Sequence, residues 1–401
     1  MKEGLEIFFN PKSVAIIGAS NKEGKVGNAL MKKMIHLKGT LIPINNHEEK
    51  ILEKKAYKSV LDYPKKIDLA VIAIPAKAVP KILEECNKKR IKNIIILSAG
   101  FSEIGNYKLE EKVTKIKDKY KLNILGPNCF GIINPKKNID LTFSMQKVQK
   151  GNTVFLSQSG ALLSYVLDLE IKLRGFISFG NRIDLDFSDF IEYFSKDKKV
   201  KKIVCYIESL KKGKEFIQAC KNSKKEIIVV KSGKTEKGLK ATLSHTGSLG
   251  TESAIYSGAF TQARIKESNL LLRAFGLNND NLLPLIKGDK VAIITNAGGA
   301  GALLSDILEI NNFEIYGPRD ILGTAKAIDY QRALNNLKGN YDSILVVLTP
   351  QAMSEPEKTA EIISNHPYKE KIIACFLGGK SLKEAINILT KNKVSFCTRC
   401  V

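Results

Sequence analysis

Short runs of β-branched and other apolar residues alternate along this chain with longer, lysine-rich amphipathic segments. The runs at residues 13–17, 68–74 and 93–98 are almost wholly apolar, as expected for strands that are buried on both faces. Segments of helical length separate these runs, which is the pattern of parallel sheets joined by crossover helices. We therefore predict an α/β fold throughout the chain.

The strand pattern divides the chain into three doubly wound units. With 401 residues, 44% of them hydrophobic, the chain is large enough to bury two or three cores. We place the units at residues 1–145, 146–275 and 285–401, and a polar connection, Gly276–Asn281, precedes the third. The other strands are predicted at residues 40–45, 121–125, 153–156, 202–207, 226–230, 290–295, 343–348 and 371–376.

A glycine-rich turn, Ile17 to Gly27, joins the first strand to a helix. Backbone N–H groups and the helix dipole favour an anion at such a turn, and glycine lets a ligand approach closely. The glycines lack the G-x-G-x-x-G spacing, and the second strand ends at Asn45 without the acidic residue of an NAD site. We therefore predict a nucleotide-like ligand other than NAD, with coenzyme A as the first choice. An empty glycine turn is the alternative.

Three more loops follow predicted strands of the first unit at their carboxyl ends, where open α/β sheets bind ligands. Together these loops are suited to line a channel for a pantetheine arm. The alternative is that each loop is an ordinary turn that binds no ligand. The residues that we assign to coenzyme A binding are Gly18, Ala19, Ser20, Lys25, Asn45, Pro75, Ser98, Ala99, Gly100 and Asn128.

A second strand-to-helix turn, Ser157-Gln158-Ser159-Gly160, opens the second unit. We expect its serines to cap the helix and its N–H groups to bind phosphate. Further on, His245 stands among small, hydroxylated and glycine residues in what we interpret as a flexible loop. An imidazole there is suited to act as a covalent nucleophile for a phosphoryl group. Glu208, at the end of a strand, is suited to hold the reactive tautomer. A solvated histidine and a surface or helix-capping carboxylate are the alternatives.

The net charge of +23 favours partners with phosphates or an acidic surface. The lysines are spread along the chain without interleaved aromatic residues, so we expect no nucleic-acid platform. Seven irregularly spaced cysteines suit a reducing, cytoplasmic compartment, and Cys397 and Cys400 are expected in a loose tail. No signal peptide or membrane-spanning run is apparent, so we expect no membrane association.

Eight motifs occur in one serial order along nearly the whole chain. They are Val14–Ser20, Ser98–Phe101, Leu125–Cys129, Ser157–Gly160, Phe179–Asn181 with Asp184, Ser244–Gly247, Asn296–Gly299 and Leu348–Ala352. In this order they resemble the α subunit of the ADP-forming acetate–CoA ligases, the acyl-CoA synthetases related to succinyl-CoA synthetase. The resemblance implies a Rossmann-like CoA-binding domain, a flavodoxin-like domain with a phosphohistidine at His245, and a second flavodoxin-like domain.

The resemblance also implies a reaction. Phosphate attacks the acyl-CoA, His245 takes the phosphoryl group from the acyl phosphate, and ADP with Mg²⁺ on an ATP-grasp domain accepts it. Because all 401 residues are assigned to the three α/β units, we expect that nucleotide site on a separate β subunit, in a heterotetramer. No metal site is expected in this chain.

Compared with relatives, the third domain is expected to be abridged between Phe313 and Asp320. A non-catalytic or regulatory CoA-binding protein derived from the same subunit is the main alternative function. A protein acetyltransferase is disfavoured because no segment is left for that domain, and succinyl-CoA synthetase because its α subunit has two domains. The acyl group is left open.

Overall fold

Three open parallel sheets carry the fold, and a computed structural model describes them over residues 3–246, 253–351 and 353–401. Numbered within each sheet, the parallel strands follow the order 2-1-3-4-5 in all three domains. In this order the chain reverses direction between strands 1 and 3, and the crevice at their carboxyl ends is where such sheets bind ligands. The α/β class and the three doubly wound units are confirmed.

The first sheet has the order β2-β1-β5-β6-β7, and every neighbouring pair is parallel. All five residues of β1 are buried, because helices cover both faces of the sheet. The predicted strands of this unit are all present. The elements are α1 (Leu5–Phe9), β1 (Ser13–Ile17), α2 (Val26–Met34), β2 (Thr40–Ile44), β3 (Lys50–Ile51), β4 (Lys54–Lys55), β5 (Leu69–Ile72), α3 (Val79–Lys88), β6 (Asn93–Ile96), α4 (Tyr107–Tyr120) and β7 (Asn123–Leu125). Strands β3 and β4 form a separate antiparallel pair.

The second sheet adds two antiparallel strands to its parallel core, in the order β14-β13-β12-β10-β11-β8-β9. Its elements are β8 (Ile132–Asn134), β9 (Ile139–Asp140), β10 (Lys150–Ser157), α5 (Ala161–Asp168), β11 (Leu173–Ser178), α6 (Phe187–Ser195), β12 (Lys202–Ile207), α7 (Gly213–Asn222), β13 (Glu226–Lys231), α8 (Glu236–Thr246), α9 (Ser253–Gln262), β14 (Lys266–Ser268) and α10 (Leu271–Phe275). We placed the domain boundary at residue 145, yet β8 pairs with β11 of the second sheet. The chain therefore leaves the first sheet after β7, and β8 covers an edge that would otherwise expose unpaired backbone.

The third sheet has the order β16-β15-β17-β18-β19. Its elements are β15 (Lys290–Thr295), α11 (Gly298–Ile310), β16 (Glu314–Asp320), α12 (Ala327–Asn335), β17 (Ser343–Leu348), α13 (Pro356–Ser364), β18 (Ile372–Phe376), α14 (Lys383–Lys391) and β19 (Ser395–Cys397). The segment that we expected to be abridged forms β16, so five parallel strands are present. The expected loose tail was wrong, because Cys397 and Cys400 are 2% and 3% exposed in the core.

Continuous apolar cores join the domains. One cluster of buried side chains combines Val14 of the first domain with Ile203 of the second, and another combines Leu163 of the second with Leu303 of the third. Phe9 of α1 stacks on Tyr193 of α6 with ring centroids 4.7 Å apart. These contacts fix the carboxyl-end edges of the three sheets relative to one another. Within the described residues, every helix is too short or too polar to cross a lipid bilayer.

Candidate functional site

The glycine-rich turn after β1 requires glycine at position 18. Gly18 has a φ of 93°, and a Cβ there would lie 2.4 Å from the carbonyl oxygen of Ala73 after β5. The turn runs through Ala19 and Ser20, and exposed Lys25 immediately precedes α2. The predicted strand–turn–helix arrangement is therefore present, and it brings the ends of β1 and β5 together.

Asn45 shapes the wall of this turn. Its Nδ2 donates to the Ala19 carbonyl at 2.8 Å, and its Oδ1 accepts from the backbone N–H groups of His47 and Glu48 at 2.7 and 3.0 Å. The Ser20 hydroxyl accepts from the N–H of Lys22 at 3.0 Å. Both side chains thus hold the loop in shape, and their binding to a ligand stays a prediction.

The remaining predicted residues of this edge also meet. The Ser98 hydroxyl accepts from the Ile74 N–H at 3.2 Å, and the Ser98 carbonyl accepts from the Asn128 N–H at 2.9 Å. Gly100, with a φ of 115°, packs against Ala76. The loops that carry Pro75, Ala99 and Asn128 therefore lie beside one another, and Pro75 and Ala99 are exposed.

The predicted phosphate loop is built differently from our expectation. Ser157 caps no helix, because its Oγ donates to the Ser159 carbonyl at 2.7 Å and accepts from the Ser159 N–H at 3.1 Å. The N-cap residue of α5 is Gly160, and no side chain bonds to the cap. The first-turn N–H groups of α5 therefore keep the capacity to bind an anion.

Gln158 connects this loop to Glu208. Its Oε1 accepts from the backbone N–H groups of Glu208 and Ser209 at 2.7 and 3.1 Å. Glu208 follows β12 directly, as predicted, and only 1% of it is exposed. Burial, together with the neighbouring Glu208, raises the pKa of Tyr206 well above its ordinary value. The buried carboxylate of Glu208 thus lies beside the proposed phosphate loop.

Lys231 brings a buried cation to the same edge. It ends β13 opposite Ile207, is 2% exposed, and its Nζ lies 4.8 Å from the ring centroid of Tyr256. Burial lowers the pKa of Lys231 to about 8, although the charges of Asp306 and Glu208 oppose that shift. The sequence pattern did not single out this lysine, because a lysine at a strand end is ordinary in a chain with 64 basic residues.

The lowered pKa of Lys231 predicts a stability that increases with pH. Between about 8 and the ordinary value of 10.5, the unfolded chain binds a proton that the folded chain has lost. Unfolding free energy should therefore increase over this window, by about 3 kcal/mol at most. Urea unfolding at pH 7.5 and pH 10 should show this gain for the natural chain relative to the non-titrating Lys231→Met variant. Equal pH slopes for the two proteins would contradict it.

His245 lies in a helix and not in the flexible loop that we expected. Its backbone is in the last turn of α8, because residues 236–246 include good helix formers such as Leu239 and Ala241. The side chains of residues 243–246 and all of residues 247–252 lie outside the described part of the chain. Helix α8 contacts α11 of the third domain and the turn Ser102–Ile104 of the first. It therefore touches both neighbouring domains.

A third loop of the same kind, which sequence reasoning left without a role, faces the phosphate loop. Thr295 ends β15, and its Oγ1 bonds to the backbone of Ala297 as Ser157 bonds to Ser159. A Cβ on Gly299 would lie 2.9 Å from the Cβ of Ser159. The amino ends of α5 and α11 therefore meet. The glycine run after a buried strand was the signal that marked the first two loops and was also available here.

Asn181 joins the first and second domains beside these loops. Its Nδ2 donates to Glu103 and Glu110 of the first domain, both at 2.7 Å, and its Oδ1 accepts from Asn128 at 3.3 Å.

No group of three or more His, Cys, Asp or Glu residues in the described ranges is arranged to hold a metal ion. The site as described consists of backbone N–H groups, amides, hydroxyls, carboxylates and lysines, with Glu208 and Lys231 buried among them.

Comparison with known proteins finds two family matches in the chain. Residues 12–135 match the CoA binding domain family, and residues 150–272 match the succinyl-CoA ligase like flavodoxin domain family. The α subunit of ADP-forming acetate–CoA ligase I from Pyrococcus furiosus is 36% identical over 434 residues, which cover 97% of this chain and 93% of the relative. The chain belongs to the family of ADP-forming acetate–CoA ligase α subunits. The resemblance drawn from the motifs is confirmed.

Two further comparisons concern a longer relative and a solved structure. The chain spans only 61% of the ADP-forming acetate–CoA ligase I of Archaeoglobus fulgidus, to which it is 37% identical. The acetyl-coenzyme A synthetase 1 of Ca. Korarchaeum cryptofilum, solved with phosphate and ADP, superposes with a TM-score of 0.65 at 30% identity. That match covers 98% of this chain and 93% of the other.

Proposed function

We propose that the chain is the α subunit of an ADP-forming acyl-CoA ligase, which converts acyl-CoA, ADP and phosphate into the acid, ATP and CoA. One observation carries the proposal. The helix with His245 contacts both the loop Ser102–Ile104 beside the CoA edge and helix α11, whose amino end meets that of α5. This arrangement supports a thioester site, an anion site and a nucleophile that act together in one chain.

The first step is the attack of a phosphate oxygen on the thioester carbonyl carbon. The C–S bond breaks, CoA leaves as a thiolate that takes up a proton, and an acyl phosphate remains. The N–H groups at the amino ends of α5 and α11 stabilise the phosphate charge throughout this step. The loops around Gly18, Ser98 and Asn128 hold CoA with its thioester toward the second domain.

In the second step a ring nitrogen of His245 attacks the phosphorus atom of the acyl phosphate. The P–O bond to the acyl group breaks, the carboxylate leaves, and a phosphohistidine forms. Glu208 accepts a hydrogen bond from the other ring nitrogen and stabilises the positive charge that develops on the ring. Its burial at the end of β12 makes that interaction strong.

The phosphoryl group then moves to ADP, whose terminal oxygen attacks phosphorus while the N–P bond breaks. We assign ADP to an ATP-grasp β subunit in a heterotetramer, since the described residues form three α/β domains of another kind. Mg²⁺ would neutralise the phosphate charges of ADP there. The seven cysteines are free thiols, which supports a reducing compartment such as the cytoplasm.

The proposal predicts that the chain becomes labelled by ³²P-phosphate. In the presence of acetyl-CoA and a co-expressed ATP-grasp partner, the label should be stable in base and labile in acid. Added ADP should transfer it to ATP, and omission of acetyl-CoA should prevent labelling. Coenzyme A binding without any label in the complete mixture would overturn the proposal and favour a regulatory CoA-binding protein. Parallel reactions with larger acyl-CoA substrates would define the acyl group.

A further inference from the structure

A carboxylate of the third domain binds the amino end of the helix that carries His245. Asp306 of α11 accepts four hydrogen bonds from the segment that leads into α8. They come from the backbone N–H groups of Gly233, Lys234 and Thr235 at 2.8, 2.8 and 2.9 Å, and from the Thr235 hydroxyl at 2.9 Å. One turn further along α11, Glu309 accepts from the Lys237 N–H at 2.7 Å.

The first turn of α8 is shaped around this carboxylate. A Cβ on Gly238 would lie 1.9 Å from Oδ1 of Asp306. The Thr235 hydroxyl, which donates to Asp306, also accepts from the Gly238 N–H at 3.1 Å. Asp306 itself is only 4% exposed. The contact is therefore close, buried and specific for a small residue at position 238.

The physics of the contact favours a rigid attachment. The amino end of a helix carries unpaired N–H groups and a partial positive charge. Asp306 holds the three residues before α8 next to that positive charge, and Glu309 accepts from one of the first-turn N–H groups, that of Lys237. Hydrogen bonds to an ionised acceptor are roughly twice as strong as those between neutral groups. From this attachment α8 extends 11 residues, Glu236 to Thr246, or about 15 Å along its axis. The direction of the helix at Asp306 thus determines where His245 lies.

We infer that Asp306 is a positioning residue for phosphoryl transfer: it fixes the first turn of α8 and thereby places His245 between the CoA edge and the two helix amino ends. The inference rests on the proposed function of His245. The third domain then contributes to catalysis through helix α11, by its amino end and by Asp306. The amino end of α11 faces the phosphate loop, and Asp306, two turns later, holds the nucleophile's helix.

The first test compares Asp306→Ala and Asp306→Asn with a matched control, Asp168→Asn. Asp168 is also buried at the junction of the second and third domains and accepts from the N–H groups of Gly379 and Ser381 at 2.7 and 3.2 Å. It does not bond to α8. We expect Asp306→Ala to lower the rate of His245 labelling about 10- to 100-fold with the KM for acetyl-CoA unchanged. Asparagine should restore part of the rate, and the control should keep it.

A second test uses Gly238→Ala, alone and combined with Asp306→Ala. Alanine is the better helix former, so without the contact the single change should be harmless. We expect it instead to slow labelling as Asp306→Ala does, and the double variant to be no slower than either single one. Hydrogen exchange at residues 233–237 should accelerate in both single variants, which tests the attachment without using activity.

The outcomes separate the two claims. If the natural chain is not labelled at all, the proposed function fails, while hydrogen exchange still tests the attachment. If the natural chain is labelled and Asp306→Ala is labelled at the same rate, the positioning role is overturned. A fall in labelling that Asp168→Asn shares equally would also overturn it, because domain association alone would then explain the effect.

Discussion

Replacing His245 by alanine is expected to remove the acid-labile label and to lower acyl-CoA-dependent ATP formation by a factor on the order of 10⁴ or more. The effect is this large because the imidazole nitrogen itself forms the bond to phosphorus in the proposed mechanism. The measurement is ³²P incorporation from phosphate and acetyl-CoA, followed by transfer to ADP.

His36→Ala is the matched control for this variant. His36 is exposed just after α2 of the first domain, so its removal should leave both labelling and ATP formation unchanged. The two proteins should also unfold at similar temperatures. Label on the His245→Ala chain at the level of the natural chain would place the phosphoryl group on another residue and refute the proposed mechanism.

Replacing Glu208 by glutamine is expected to slow His245 phosphorylation by a factor on the order of 10² to 10³. Glutamine keeps the shape, and the bond from the backbone N–H of residue 208 to Gln158 does not involve the side chain. Only the negative charge is lost, and with it the stabilisation of the imidazolium that develops during attack. Rapid-quench measurement of label formation, with the KM for acetyl-CoA measured alongside, checks this.

Glu226→Gln provides the comparison for Glu208. Glu226 begins β13 at the opposite, amino edge of the same sheet and forms an exposed ion pair with Lys266. Its loss should change stability by less than about 1 kcal/mol and leave the labelling rate unaltered. If Glu208→Gln forms phosphohistidine at the natural rate, the carboxylate has a structural role only.

The strands that were predicted correctly are those in which local pattern and tertiary burial agree. Ser13–Ile17 and Ser343–Leu348 are central strands, buried along their whole length, so their apolar runs are unbroken. Most of the strands that were missed lie at sheet edges or are short. Leu173–Ser178 is the exception, a buried internal strand whose apolar run is interrupted by Arg174 and Gly175. Ile139–Asp140 has two residues, and Glu314–Asp320 is largely open to solvent, so neither produces a hydrophobic run. Their pairing depends on partners distant in the chain.

The features of the candidate site also divide into those that the sequence predicted and those that it did not. The loops after β1, β6 and β7 could be grouped from the sequence, because parallel strands bring their carboxyl ends to one edge. The use of Ser157 within its own loop could not be predicted, because it depends on how the neighbouring backbone groups are hydrogen-bonded. The helix at His245 has a local signal in Leu239 and Ala241, but the glycine and hydroxylated residues around His245 favoured a loop in the prediction. The contact between Asp306 and the start of α8 spans more than 70 residues of sequence and has no local signal at all.

The sequence by itself determined the fold class and the three units, because both are encoded in short-range periodicity. The serial order of the motifs carried the resemblance to the family. Only the tertiary structure decided that the amino ends of α5 and α11 meet, that Glu208 and Lys231 share a buried edge, and that Asp306 holds the helix of His245. The physical reason is that the contacts of α5 with α11 and of Asp306 with α8 arise from the packing of whole domains, whose apolar cores merge across the junctions. The shared edge of Glu208 and Lys231 arises from the pairing of β12 with β13. The geometry of these contacts is set by side chains that are distant in sequence.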